Sequence, residues 1–147
     1  MFDKCKEKCY ELQGITNVPH TPISLSEGYC FSDYAPTNRF CSVCPYAQKD
    51  ETRTHLYGLN EAYRWGGSFV YYCPMALIFV ATALRDSEGG LSCGLIAGPI
   101  IMGDVQDSTC YMLHEDMRDR LESVVKMSPL QVNQLAEITK AVASNIA

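Results

Sequence analysis

Two apolar runs separated by a short polar turn constrain the fold of this chain more than any other feature. The first run, residues 77–84, is nearly continuous, and the second, residues 91–101, follows a turn at 85–90. Runs of this length with turn residues between them predict two paired β-strands. Their continuous hydrophobicity indicates either burial on both faces of a sheet or an open face that holds a ligand. Within the second run, Gly94 and Gly98 predict positions where backbone or ligand approaches closely.

Apolar residues at helical spacing predict helices before these strands. The first dozen residues form a short amphipathic helix that ends near Gly14 and places Cys5 and Cys9 on its inner face. For these two cysteines, packed thiols are favoured over a metal-binding pair. Residues 49–64 form a second helix, with His55 directed toward the interior and a glycine pair after it as the stop.

The C-terminal third is also predicted to be helical. Residues 109–125 are assigned to helix, with a charged, solvated stretch in the middle. A second helix begins at Ser128-Pro129-Leu130-Gln131, because this run supplies an N-cap, a proline at N1 and a glutamine at N3. The apolar stripe of that helix is Val132, Leu135, Ile138, Val142 and Ile146.

Three further segments complete the predicted order of elements. Residues 21–25 and 29–33 are extended runs on either side of Ser26-Glu27-Gly28 and predict a hairpin, and residues 33–38 are loop. Residues 39–48 predict a short helical turn, and residues 69–73 have strong strand propensity. The 147 residues therefore predict one α+β domain, 1–147, built on a single antiparallel sheet of about five strands with flanking helices.

Charge and hydropathy disfavour two classes of partner. Twelve Lys and Arg against 17 Asp and Glu give a net charge of −5, and no basic cluster exists that would bind nucleic acid or an anionic membrane. The N-terminus has no apolar stretch typical of a secretory signal. Residues 65–84 are uncharged and 20 residues long, but the segment contains glycines and Pro74, so two strands meeting near Pro74 explain it better than a membrane helix. We predict a soluble, cytoplasmic protein.

Eight cysteines are a high count, and in a cytosolic protein they are thiols rather than disulfides. One constellation has ligand-like spacing, Cys41-x2-Cys44-x10-His55-x17-Cys73. Soft thiolates with an imidazole suit Zn²⁺ or an iron–sulfur cluster. Two alternatives remain open, reduced thiols that line a core or pocket and a redox pair formed by Cys41 and Cys44.

Residues 39–104 resemble the PocR sensory domain, a bacterial ligand-binding module with a PAS-like fold. The matching pieces are Phe40-Cys41, the helix around His55, Tyr71-Tyr72-Cys73 and the hairpin LIFVATALRDSEGGLSCGLIAGPIIMGD. The Met127-Ser128-Pro129 start of the last helix is similar to the closing segment of that family. His55 stands where the family tends to have cysteine. With the N-terminal helix and first hairpin included, the resemblance covers nearly the whole chain.

The resemblance implies a non-enzymatic sensory domain of a bacterial signal-transduction or transcription-regulatory protein. Such a domain binds a small organic molecule, in this family small hydrocarbon derivatives including diols, and passes a change to an output domain or partner regulator. A sheet with helices packed across one face would leave a cavity for the ligand. No cofactor is required, and the terminal helix 129–147 is the predicted output or homodimerisation element. The candidate ligand-binding residues are Cys41, His55, Tyr71, Cys73, Met75 and Phe79, and the tentative metal ligands are Cys41, Cys44, His55 and Cys73.

Overall fold

The structure of the protein, a computed structural model, describes residues 1–25, 40, 41, 44 and 47–146. The turn and second strand of the predicted first hairpin, the loop at 33–38 and part of the helical turn at 39–48 lie outside the described residues. The helices are α1 (Phe2–Thr16), α2 (Ala47–Arg64), α3 (Thr109–Leu113), α4 (Arg118–Leu121) and α5 (Pro129–Ala143). The strands are β1 (His20–Ser24), β2 (Ser68–Tyr72), β3 (Ile78–Arg85), β4 (Leu91–Met102) and β5 (Val125–Met127).

The five strands form one sheet, which confirms the predicted α+β class. Four strands lie in the order β1-β4-β3-β2 and pair antiparallel, with β3 and β4 at the centre. The short β5 pairs in parallel with the end of β4, through Ile100, Ile101 and Met102. The prediction that residues 109–125 form helix is therefore only partly right. Helices α3 and α4 and two 3₁₀ turns carry the chain from the end of β4 to a parallel strand, which requires such a crossover.

Helices cover both faces of the sheet, so the prediction of helices across one face is wrong. Residues alternate along β3, and Phe79 and Ala81 pack in the same cluster as Leu59 of α2. Ile78 and Val80 point the other way and pack with side chains of α5. This two-sided burial explains the continuous apolar run in the sequence.

The N-terminal helix agrees closely with its prediction. Cys5, Cys9 and Leu12 are buried, and α1 continues two residues past Gly14 to a left-handed C-cap at Asn17. The Cys5 thiol donates a hydrogen bond of 3.3 Å to the carbonyl oxygen of Gly94 in β4. Hydrogen bonding with Cys9, together with burial, raises the pKa of the Cys5 thiol. Both thiols are therefore packed in the interior, as the sequence favoured, and the raised pKa of Cys5 keeps its thiol protonated.

The last helix begins where the sequence indicated but buries a different stripe. Ser128 and Gln131 form a complete capping box. The N–H of Gln131 donates to the Ser128 hydroxyl at 3.2 Å, and the N–H of Ser128 donates to Oε1 of Gln131 at 2.8 Å. Ile138, predicted to be buried, is 41% exposed, and Thr139 takes the buried position instead. The reason is a tertiary contact, because the Thr139 hydroxyl lies 3.2 Å from Nε2 of buried His20 in β1.

Gly94 permits the close packing of α2 on the sheet. A Cβ at this position would lie 2.6 Å from the carbonyl oxygen of Thr82 and would also meet the side chain of Leu59. The prediction of a close approach at this glycine is confirmed, and the approaching group is protein. Within the described residues, no helix has both the length and the apolar character needed to cross a bilayer.

Candidate functional site

A small cavity lies where α2, the sheet and the turn between β2 and β3 meet. Its volume is about 20 Å³, and its surface is almost entirely apolar. It is lined by five of the six predicted ligand-binding residues and by all four tentative metal ligands. The lining residues are Phe40, Cys41, Cys44, Thr54, His55, Cys73, Pro74, Met75, Leu77 and Phe79.

Tyr71, the sixth predicted ligand-binding residue, reaches this site through His55. Its hydroxyl lies 2.5 Å from Nδ1 of His55, and both side chains are buried. Burial lowers the pKa of His55 to about 3, so the imidazole is neutral at physiological pH. The Phe79 ring packs edge-on against His55 with 4.7 Å between ring centroids. The result is one polar pair held in an aromatic wall.

Gly58 of α2 makes room for the Tyr71 ring. A Cβ at this position would lie 2.6 Å from Cζ of Tyr71, so a larger residue would force the ring away. The ring also stacks on Phe69 and Phe79 of the sheet. The position of the tyrosine hydroxyl is therefore fixed by packing against both α2 and the sheet.

The turn that connects β2 and β3 forms the floor of the cavity. The N–H of Cys73 donates to the carbonyl oxygen of Leu77 at 3.0 Å, and the N–H of Ala76 donates to that of Cys73 at 2.8 Å. Ala76 has a φ of 61°, a left-handed conformation that costs a residue with a side chain roughly 1 kcal/mol or more. Met75 is buried in this turn, so its flexible side chain lines the cavity from outside the strands.

Two thiols near the cavity, those of Cys73 and Cys110, have raised pKa values. Burial raises the pKa of Cys73, and the nearby Cys44 raises it further. Burial, followed by the proximity of Cys44, Cys73 and Asp116, raises the pKa of Cys110 to about 11. Sequence reasoning missed Cys110. It comes from α3, and no spacing motif links it to the other cysteines.

The tentative metal ligands meet at the cavity, but they do not form a metal site there. In the part of the chain that the structure describes, no group of three or more His, Cys, Asp or Glu side chains is arranged to hold a metal ion. Burial also opposes coordination by Cys73, because it favours the protonated thiol over the thiolate that a metal requires.

Comparison of the chain with family models, with curated proteins and with solved structures finds no match.

Proposed function

We propose that this chain is a non-enzymatic, small-molecule-binding sensory domain of a bacterial signal-transduction or transcription-regulatory protein. One observation carries the proposal. Five of the six side chains predicted from the sequence to contact a ligand, namely Cys41, His55, Cys73, Met75 and Phe79, converge on one small cavity. An apolar cavity with a few oriented polar groups is the usual form of a small-molecule site.

The lining of the cavity favours a small, uncharged ligand. In the described part of the chain, the lining contains no Asp, Glu, Lys or Arg, burial keeps His55 neutral, and burial favours the protonated form of the Cys73 thiol. The His55–Tyr71 pair offers hydrogen bonds to a hydroxyl group, and the rings and Met75 offer apolar surface. A small alcohol or diol has this combination of groups.

The cavity volume of about 20 Å³ is close to what one water molecule requires, so a diol must displace part of the wall. The turn at Met75 is the wall most easily moved. It lies outside the strand ladders, it is held by two backbone hydrogen bonds, and its Ala76 is strained. Displacement of this turn would relieve the left-handed conformation at Ala76 as the ligand enters.

A route for the signal runs through β3 to the last helix. Phe79 faces the cavity, whereas its neighbours Ile78 and Val80 pack on the opposite face with Val132 and Leu135 of α5. A shift of β3 at Phe79 would therefore move the surface on which α5 rests. We propose that α5 passes this change to an output domain or partner regulator.

Thermal unfolding with 1,2-propanediol as the probe tests the proposed function. We expect a saturable rise in the unfolding midpoint that follows the logarithmic dependence on ligand concentration of a native-state ligand. The variant Tyr71→Phe should lose most of this rise because it removes the hydroxyl and keeps the ring. The control Tyr57→Phe, which alters an exposed tyrosine on the same helix as His55, should behave as the parent protein does. Equal responses of the two variants would contradict the assignment of the cavity.

The alternative function, a thiol-based metal or redox sensor at Cys41, Cys44, His55 and Cys73, has less support. Protonated thiols are poor metal ligands and slow nucleophiles, and burial favours protonation of Cys73. Elemental analysis of anaerobically purified protein separates the two functions. Stoichiometric zinc or iron would favour the alternative, and metal-free protein that binds the diol would favour the small-molecule sensor.

A further inference from the structure

A second and larger recess lies on the opposite side of the sheet from the cavity. It is an open cleft of about 260 Å³ between the C-terminal part of α5, the edge of the sheet and the glycine turn after α2. Liquid water occupies roughly 30 Å³ per molecule, so the cleft has room for a small organic molecule. No residue assigned to the first cavity lines it.

Two basic side chains without acidic partners line this cleft. Neither Lys140 nor Arg85 forms an ion pair with any described residue. The Arg85 guanidinium stacks 4.3 Å from the centre of the Tyr63 ring and donates to two backbone carbonyl oxygens. The described lining residues include no Asp or Glu. In a chain with a net charge of −5, this local excess of positive charge favours an anion.

Thr82 of β3 supplies an independent sign of a missing ligand. Its side chain is 1% exposed, it lines the cleft, and its hydroxyl oxygen has no hydrogen-bond partner. A buried hydroxyl without a partner is costly, whereas a bound acceptor would satisfy it. The hydroxyl and the Lys140 ammonium are thus two donors that line one recess.

The C-terminal end of α5 lies at the cleft, and free carbonyl groups at a helix C-terminus would repel an anion. The last carbonyl groups of the helix, from Lys140 to Ala143, each accept a hydrogen bond from Ser144, Asn145 or Ile146. These bonds satisfy the groups that carry the negative end of the helix dipole.

We propose that the cleft binds a short-chain carboxylate, which accepts hydrogen bonds from Lys140 and from the Thr82 hydroxyl. The hydrocarbon tail lies along the apolar part of the wall, formed by Leu84, Ala143 and Ile146. Arg85 adds positive potential to the cleft, and its bond to the carbonyl oxygen of Gly89 stabilises the β3–β4 turn. This site is distinct from the proposed diol site, because the two have no lining residue in common.

Isothermal titration calorimetry with butyrate as the probe tests this site. We expect saturable binding to the parent protein and an affinity at least about tenfold lower in Lys140→Met, because a charge-assisted hydrogen bond is lost. The control Lys126→Met removes a lysine outside the cleft and should bind butyrate as the parent does. 1-Butanol, with the same tail and no charge, should also bind at least about tenfold more weakly than butyrate.

Thr82→Val gives a second readout that a purely structural residue would not produce. We expect the ligand-free variant to unfold at a higher temperature because the unpartnered hydroxyl is gone, and its affinity for butyrate to fall about two- to tenfold. The proposal is overturned if butyrate does not bind saturably, or if Lys140→Met binds it as well as the parent. Equal binding of butanol, or equal competition by inorganic phosphate, overturns the carboxylate assignment.

Discussion

Lowering the pH from 8 to 5.5 should destabilise this protein through two buried histidines. Burial lowers the pKa of His20 to about 4 and that of His55 to about 3, whereas an exposed histidine titrates near 6.5. Burial is what keeps His20 neutral, because the bond between Nδ1 and the carbonyl oxygen of Val18, 2.8 Å long, by itself raises the pKa. Nε2 lies 3.2 Å from the Thr139 hydroxyl oxygen. Both histidines are therefore neutral in the folded state and protonated in the unfolded state at mildly acidic pH.

The loss of stability can be calculated from the difference in the number of protons bound by the unfolded and the folded protein. Because the folded pKa values are lowered, the contribution to stability is complete above pH 6.5 and is lost as the pH falls toward the folded values. At pH 5.5 each histidine costs about 1.4 kcal/mol relative to pH 8, and the two together cost about 2.8 kcal/mol. This sum hardly depends on the pKa values of the two histidines in the folded protein, as long as both lie below about 4.5. It is a large part of a typical domain stability of about 5–15 kcal/mol.

Urea unfolding followed by circular dichroism at pH 8 and 5.5 under reducing conditions measures this loss. Few carboxylates with ordinary pKa values titrate in that window, but cysteine thiols begin to ionise in the unfolded protein near pH 8. The histidine variants separate the histidine contribution from that of the thiols. His20→Gln and His55→Gln should each remove about half of the pH dependence. Unchanged stability across the window would refute the reasoning, as would an NMR titration of either folded-state imidazole with a midpoint near 6.5.

Three further outcomes follow from the structure, each accessible to a simple measurement. Gly94→Ala should destabilise the fold by roughly 2 kcal/mol or more, because the new Cβ would lie 2.6 Å from a carbonyl oxygen of β3. Its control Gly14→Ala, in α1 with open space around the new Cβ, should stabilise it by about 0.5–1 kcal/mol in the same urea assay. Ser128→Ala should cost about 1 kcal/mol through loss of the capping box, and an unchanged midpoint would contradict that role. Cys73 and Cys110 should react with iodoacetamide at pH 8 far more slowly in the folded than in the urea-unfolded protein, as mass spectrometry of the alkylated peptides will show.

The sequence predicts the central strands well because their signals are local. The two apolar runs are bounded by turn residues, and β3 and β4 lie within one residue of the predicted limits. Helix α5 begins at the predicted residue because the capping box is also local. Strand β5 was missed for the opposite reason. Its three residues show no periodicity, and its hydrogen bonds depend on a β4 segment distant in the chain.

In the candidate site, too, the features that follow from local sequence could be predicted, and those that depend on tertiary packing could not. Met75 and Cys73 fall at the cavity because the turn near Pro74 follows from the sequence. The bond between His55 and Tyr71 and the proximity of Cys110 depend on how α2 and α3 dock against the sheet. Thr139 shows the same limit, since only its contact with His20, 119 residues away, explains why a threonine displaces Ile138 from the buried stripe.

Strand β3 connects the two proposed sites because it is buried on both faces. Side chains alternate along a strand, so Phe79 lines the cavity under α2 while Thr82 lines the cleft beside α5. The apolar run in the sequence allowed either two-sided burial or an open face that holds a ligand. The structure shows the former for β3, and both proposed ligands then occupy gaps beside the covering helices. Because both gaps share β3 as a wall, a ligand in either one would act on the strand against which α5 packs.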